Sequence, residues 1–240
     1  MNLVKQIFLS FLKLQAFIAI VVFLFFSTKL YSQNKYLNFF KSDYFYAVNT
    51  LKDQEKTIDD IAQIYDIPPK TIRSIVFPEL LRYNNIKDFI ETSSLETFYI
   101  AGDMVDFSIG YFQMKPSFME EIEQITKESS YLKEKYKAII TYSSKANHKA
   151  QRLNRLKQTE WQVVYICCFI DYLNATYQLE KETITDRLSF LSAAYNYGFK
   201  KPPEEIKTWE TTKAFPYGKS YKGTKFSYSE IALHYYNTNK

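Results

Sequence analysis

The chain is poor in the residues that disulfide and metal chemistry require. It has two cysteines and two histidines in 240 residues. Cys167 and Cys168 are adjacent, and neighbouring cysteines rarely bridge each other because the geometry strains the backbone. A disulfide framework is therefore excluded, and the pair reads as helix-core residues inside Val163-Val164-Tyr165-Ile166-Cys167-Cys168-Phe169-Ile170. His148 and His234 are far apart in sequence, so neither a zinc site nor a histidine-based triad is supported, and no metal or cofactor is expected. Internal repeats are absent. A large charge excess is also absent, as the formal charge is only +5.

The first 33 residues read as an export segment. Lys5 and Lys13 flank an otherwise uncharged start, and the apolar run from Ala16 to Phe26 follows. That run is too short to span a bilayer comfortably and suits a signal-peptide core. Cleavage after Ser32 is one outcome. Leu30 fits the small-x-small rule poorly, so an uncleaved N-terminal membrane anchor is the other. No cysteine lies near the junction, which argues against a lipoprotein. Removing Lys5, Lys13 and Lys29 takes the formal charge from +5 to +2, too small an excess for a nucleic-acid binder. Residues 34–240 have the length of one domain, expected to be monomeric.

Along that domain the spacing of Ile58, Ile61 and Ile64 predicts a short amphipathic helix from Thr57 to Tyr65. Pro68-Pro69 ends it and opens the next, whose apolar face carries Ile72, Ile75, Val76, Leu80 and Leu81. Pro78 is expected to bend that helix or break it just before Glu79. Thr97 to Ile100, followed by Ala101-Gly102-Asp103, reads as a short strand and turn. A helix is expected from Ser117, acting as N-cap, to Thr126. Lys127 to Lys157 holds nine Lys or Arg against Glu128 and Glu134. This is a solvated helical face or, alternatively, a patch for anionic envelope groups. Apolar helices follow over Trp161–Tyr172 and Thr183–Tyr197, the second ending at Gly198 with Pro202-Pro203 beyond it. The tail is aromatic, then helical from about Ser229. The fold class is α+β, mostly α.

Glu79 is one carboxylate among Ile75, Val76, Phe77, Leu80 and Leu81. Burial in such a setting favours the neutral acid, which is what protonating a leaving oxygen requires. A surface glutamate, or a partner for Arg82, is the plainer reading. Ser108-Ile109-Gly110-Tyr111-Phe112-Gln113-Met114-Lys115-Pro116 forms a G-x-x-Q-x-x-P turn into a helix, and Ala193-Ala194-Tyr195-Asn196-Tyr197-Gly198 an A-Y-N-x-G helix end. Glycine permits close backbone approach. A glutamine can donate to and accept from an N-acetyl group.

In this order the three segments resemble the lysozyme-like lytic transglycosylases (soluble lytic transglycosylase type), over roughly residues 70–200. The resemblance implies a lysozyme-like fold with a small β element beside the active-site groove. It implies Glu79 as catalytic acid and base near a helix end, and Tyr195 hydrogen-bonding that carboxylate. Ser108, Gly110, Gln113, Met114, Tyr195 and Asn196 are the implied substrate-binding residues. The implied partner is the peptidoglycan glycan strand, cut between N-acetylmuramic acid and N-acetylglucosamine to leave 1,6-anhydromuramic ends. The family has Ser directly after its glutamate and this chain has Leu80. The interval from Glu79 to Gly110 is also longer than usual, and it contains Asp103 and Asp106. Either could serve as the second carboxylate of a lysozyme-type hydrolase, or simply as a turn or cap residue. A noncatalytic wall-binding module is the reading from a different class. Location is expected to be the periplasm or cell envelope.

Overall fold

Prolines and capping residues set the boundaries from which the fold is built. The computed structural model describes residue 17 and residues 35–90, 99–100, 107–144 and 147–239, without the side chains of 84–90. Residues up to Lys41 cluster separately from Ser42–Lys240. Residues 35–40 of the first unit are helical. Apart from residue 17, the signal segment lies outside the described residues, as do Asp103 and Asp106.

The second unit is a helical assembly. Its elements are α1 (Ser42–Asp53), α2 (Glu55–Ile64), α3 (Pro69–Ile90), α4 (Pro116–Glu128), α5 (Ser130–Lys135), α6 (His148–Leu156), α7 (Thr159–Tyr177), α8 (Ile184–Tyr197), α9 (Pro203–Thr211) and α10 (Tyr228–Thr238). Among the described residues the only β pairing is two isolated bridges, Ile109 with Met114 and Phe215 with Phe226. Tyr99 and Ile100, expected in a strand, are helical. No helix among the described residues is long and apolar enough to cross a membrane.

Local chemistry explains the ends. Pro69, Pro116 and Pro203 each open a helix, where a missing N–H costs nothing because the first turn has no partner for it. Pro116 thereby displaces the expected cap: Lys115 holds the N-cap position and Ser117 lies inside α4. Thr183 caps α8 by accepting from the Asp186 N–H at 3.2 Å, and Ser227 caps α10 by accepting from the Glu230 N–H at 3.1 Å. Pro78 does not end α3, which continues to Ile90, so Glu79 lies in mid-helix rather than near its end.

Two helices organise the core. The α7 sequence is apolar on every side, and it is buried from Val163 through Leu173 with few interruptions. It packs against α2, α3, α4 and α6. In turn α3 packs against α1, α2, α8 and α10. Cys167 and Cys168 are free thiols within this core, and burial pushes the Cys168 thiol up to about 12. The basic stretch is only partly a solvated face. Arg152 and Arg155 are buried, the first by a pair of hydrogen bonds to Glu123, the second by donating to the Ile139 carbonyl at 2.6 Å.

Candidate functional site

Glu79 is drawn inward by its neighbours. Ile72, Ile75, Val76, Leu80 and Leu81 are all sequestered, and Glu79 itself is only 4% exposed. One turn on, Arg82 donates from Nε at 2.9 Å and from Nη2 at 2.8 Å, both to Oε2 of Glu79. The Glu79 carboxylate holds the guanidinium above its usual range, against the opposing effect of burial. The plainer sequence reading, a partner for Arg82, is therefore realised inside a buried site.

Two tyrosines stand beside this pair, Tyr228 buried and Tyr195 half-buried. Tyr228, from α10, donates to the Ile75 carbonyl at 2.9 Å, in the turn that precedes Pro78, and its hydroxyl also interacts with the Glu79 carboxylate. Tyr195, from the end of α8, donates to the Phe112 carbonyl at 2.7 Å. Tyr195 was expected to bond Glu79, but its proton goes to the G-x-x-Q turn, and the Tyr228 proton goes to the Ile75 carbonyl, so Arg82 is the donor that holds the carboxylate. Burial first, and the Glu79 charge second, raise both hydroxyls well above the ordinary phenol range, so both remain neutral donors.

The turn before α4 is closed by Ile109 and Met114, which exchange backbone hydrogen bonds at 2.9 and 3.1 Å. Gly110 sits at φ +73°, a left-handed conformation that favours glycine. Space is equally restrictive, because a Cβ there would lie 1.9 Å from Nε2 of Gln162. Gln162 is the clamp. Its Nε2 donates to the Ile109 carbonyl at 3.0 Å and to the Leu156 carbonyl at 2.6 Å, while its Oε1 accepts from the Phe112 N–H at 3.2 Å.

Gln113 also has a left-handed backbone, at φ +49°. Its Nε2 donates to the Gly110 carbonyl at 2.9 Å, which identifies the other end of the amide as the oxygen. That Oε1 is buried and has no hydrogen-bond partner among the described residues. An orphaned buried acceptor costs about 1–3 kcal/mol, a penalty that a ligand's N–H or O–H would remove.

Glu79, Ser108, Gln113, Met114, Tyr195 and Asn196 line one cavity of about 320 Å³. Gly110 shapes the turn behind it. Three segments far apart in sequence thus converge on one concavity. Sequence reasoning missed several wall residues, among them Phe118, Glu121 and Lys201. Glu121 is a second carboxylate in the same cavity; its signal was its place one helical turn beyond Ser117, which also lines the wall. Asn196 turns its Oδ1 towards the Trp209 indole N–H, at 2.9 Å. Tyr228 and Gln162 had no local signal, since each acts across a long separation in the chain. Among the described residues no group of three or more His, Cys, Asp or Glu side chains is placed to hold a metal ion.

The arrangement combines a buried carboxylate, a cation on one of its oxygens, two neutral phenols and an unsatisfied amide acceptor. No family model, curated protein or solved structure matches this chain.

Proposed function

We propose that this protein is a lysozyme-like enzyme of the cell envelope that cuts peptidoglycan glycan strands by a lytic transglycosylase mechanism. The observation that carries the reading is the convergence of Glu79, Gln113 and Tyr195 on one cavity, with the Gln113 oxygen left for a ligand donor. An acetamido N–H or a sugar hydroxyl supplies such a donor. In this reading Glu79 protonates the glycosidic oxygen between the N-acetylmuramic acid and N-acetylglucosamine units. It then takes the proton of the muramic 6-hydroxyl as that oxygen closes the anhydro ring on the anomeric carbon. No water enters the product.

A two-carboxylate hydrolase is the second reading, and the presence of Glu121 in the Glu79 cavity favours it. Digestion of purified peptidoglycan with mass analysis of the ends separates the two. Anhydro ends, lighter than hydrolysed ends by one water, are the expected outcome, and they should vanish in Glu79→Gln and persist in Glu121→Gln. Ordinary reducing ends that require Glu121 would establish hydrolysis. Undiminished cleavage by Glu79→Gln would reject both, and binding without any cleavage would leave a wall-binding module. The enzyme reading also requires export, which fractionation of a C-terminally tagged chain tests.

A further inference from the structure

A second cavity adjoins the first and shares a wall with it. It has a volume of about 220 Å³, and Tyr197 lines both. Behind Tyr197 stands Trp209 of α9, which also lines the second cavity. The two rings are stacked, with centroids 4.4 Å apart and planes 21° from parallel. Hydrogen bonds fix both members. The Trp209 indole N–H donates to Asn196, a wall residue of the first cavity, and the Tyr197 hydroxyl donates to Glu205 at 2.7 Å. Around the rings the second cavity presents Glu204, Thr208, Thr212 and Lys219.

A flat aromatic surface with a rim of carboxylates and hydroxyls is suited to a pyranose ring. The C–H face of a sugar packs on the indole, and its equatorial hydroxyls meet the polar rim. We infer that the Tyr197–Trp209 stack is an additional saccharide subsite, which binds a sugar of the same glycan strand beyond those held at Glu79. The inference rests on the glycan reading given above. Lys219 covers the indole and is not itself part of the subsite. It is exposed, and its Nζ lies 4.6 Å from the Trp209 ring centroid. An entering sugar displaces that ammonium from the indole, so removing it does not weaken binding. The consequence is chain-length selectivity: long strands engage both cavities, and short fragments engage only the first.

The test measures binding of β-1,4-linked N-acetylglucosamine trimer and hexamer to the full chain, using oligomers that lack muramic acid and so cannot form anhydro ends. The hexamer is expected to bind more tightly than the trimer. Trp209→Ala should reduce that advantage about tenfold, the loss of one well-packed aromatic contact, while Trp209→Tyr retains most of it. Lys219→Ala should leave hexamer binding unchanged or tighter. A direct readout does not depend on the Trp209 variants folding. The chain has two tryptophans, so Trp161→Phe makes Trp209 the sole indole, and its emission should shift with the hexamer and saturate. An unchanged hexamer advantage in a folded Trp209→Ala protein, or Trp209 emission indifferent to the hexamer, overturns the subsite. If Glu79-dependent cleavage of peptidoglycan persists in that case, only the subsite is lost. If neither oligomer binds and peptidoglycan is not cut, the glycan reading fails with it.

Discussion

Glu79 and Glu123 are both buried glutamates with an arginine partner, yet their surroundings differ. Glu123, on α4, is 2% exposed and pairs with Arg152, which is 4% exposed. Arg152 donates to its Oε1 from Nε at 2.8 Å and to its Oε2 from Nη2 at 2.7 Å. The Tyr165 hydroxyl adds a bond at 3.0 Å, and Tyr142 donates to the same carboxylate. Burial alone would raise its proton affinity, but these bonds outweigh it, and the carboxyl lies below its ordinary range. Glu79 also has an arginine, but Arg82 engages Oε2 alone, and the residue lines an open cavity. Burial with an ion pair therefore does not mark a catalytic acid. Access to a ligand-sized space distinguishes the two.

The largest effect should come from Glu79→Gln, which keeps the side-chain shape and removes the proton. Turnover of peptidoglycan should fall by about 10²–10⁴-fold, measured by product release, while the fold persists. The matched change Glu123→Gln should do the reverse. It leaves Arg152 without its bidentate partner in a buried site, with an expected loss of about 3–5 kcal/mol in denaturant unfolding and no specific loss of chemistry per folded molecule. If Glu79→Gln proves the more destabilising of the two and Glu123→Gln the more damaging to turnover, the comparison is inverted and the site has been misassigned.

Next in size is Gly110→Ala. It combines a left-handed backbone with a close approach to Gln162 and should cost about 1–3 kcal/mol of stability, read as a lower thermal midpoint. Arg82→Gln sharpens the comparison by making the Glu79 pair less like the Glu123 pair. It removes both contacts to Oε2 that orient the carboxyl in the cavity, so kcat should fall while the fold persists, and an unmoved kcat would show that Arg82 does not position the reacting carboxyl.

The smallest effect is the pH dependence of stability. Because the folded Glu123 carboxyl is depressed, its contribution is fully present above the unfolded value of about 4.3 and declines as pH falls through the folded one. Thermal midpoints taken downward from neutral pH should drop in that acid window, and less steeply in Glu123→Gln. Equal slopes in the two proteins would mean that other carboxylates carry the acid sensitivity.

Much of the helical framework was legible locally. The isoleucine spacing of α2, the apolar face of α3, the apolar run of α7 and the Gly198 end of α8 are short-range patterns. Physical forces read them in the same way as sequence inspection does. The expected strand at Tyr99–Ile100 failed because a few aromatic and β-branched residues do not separate strand from helix. The Ser117 cap failed because Pro116 is itself suited to the first helical position. Of the bend or break expected at Pro78, the break does not occur, because α3 is held by packing on five neighbouring helices, with Tyr228 on the Ile75 carbonyl just ahead of the proline.

By itself the sequence determined several of the helices, among them α2, α3, α7 and α8, the prolines that begin α3 and α4, and the three segments that carry the polar groups of the cavity. Those properties depend on side-chain period and backbone conformation within a few residues. Only the tertiary structure decided that Glu79 and Glu121 share a cavity, that Arg82 rather than Tyr195 holds the carboxylate, and that Gln162 clamps the Gly110 turn. It also decided that Trp209 stands behind Tyr197. Each of these depends on how helices pack, and a helix surface offers many side chains to a neighbour, of which the packing angle and register select a few.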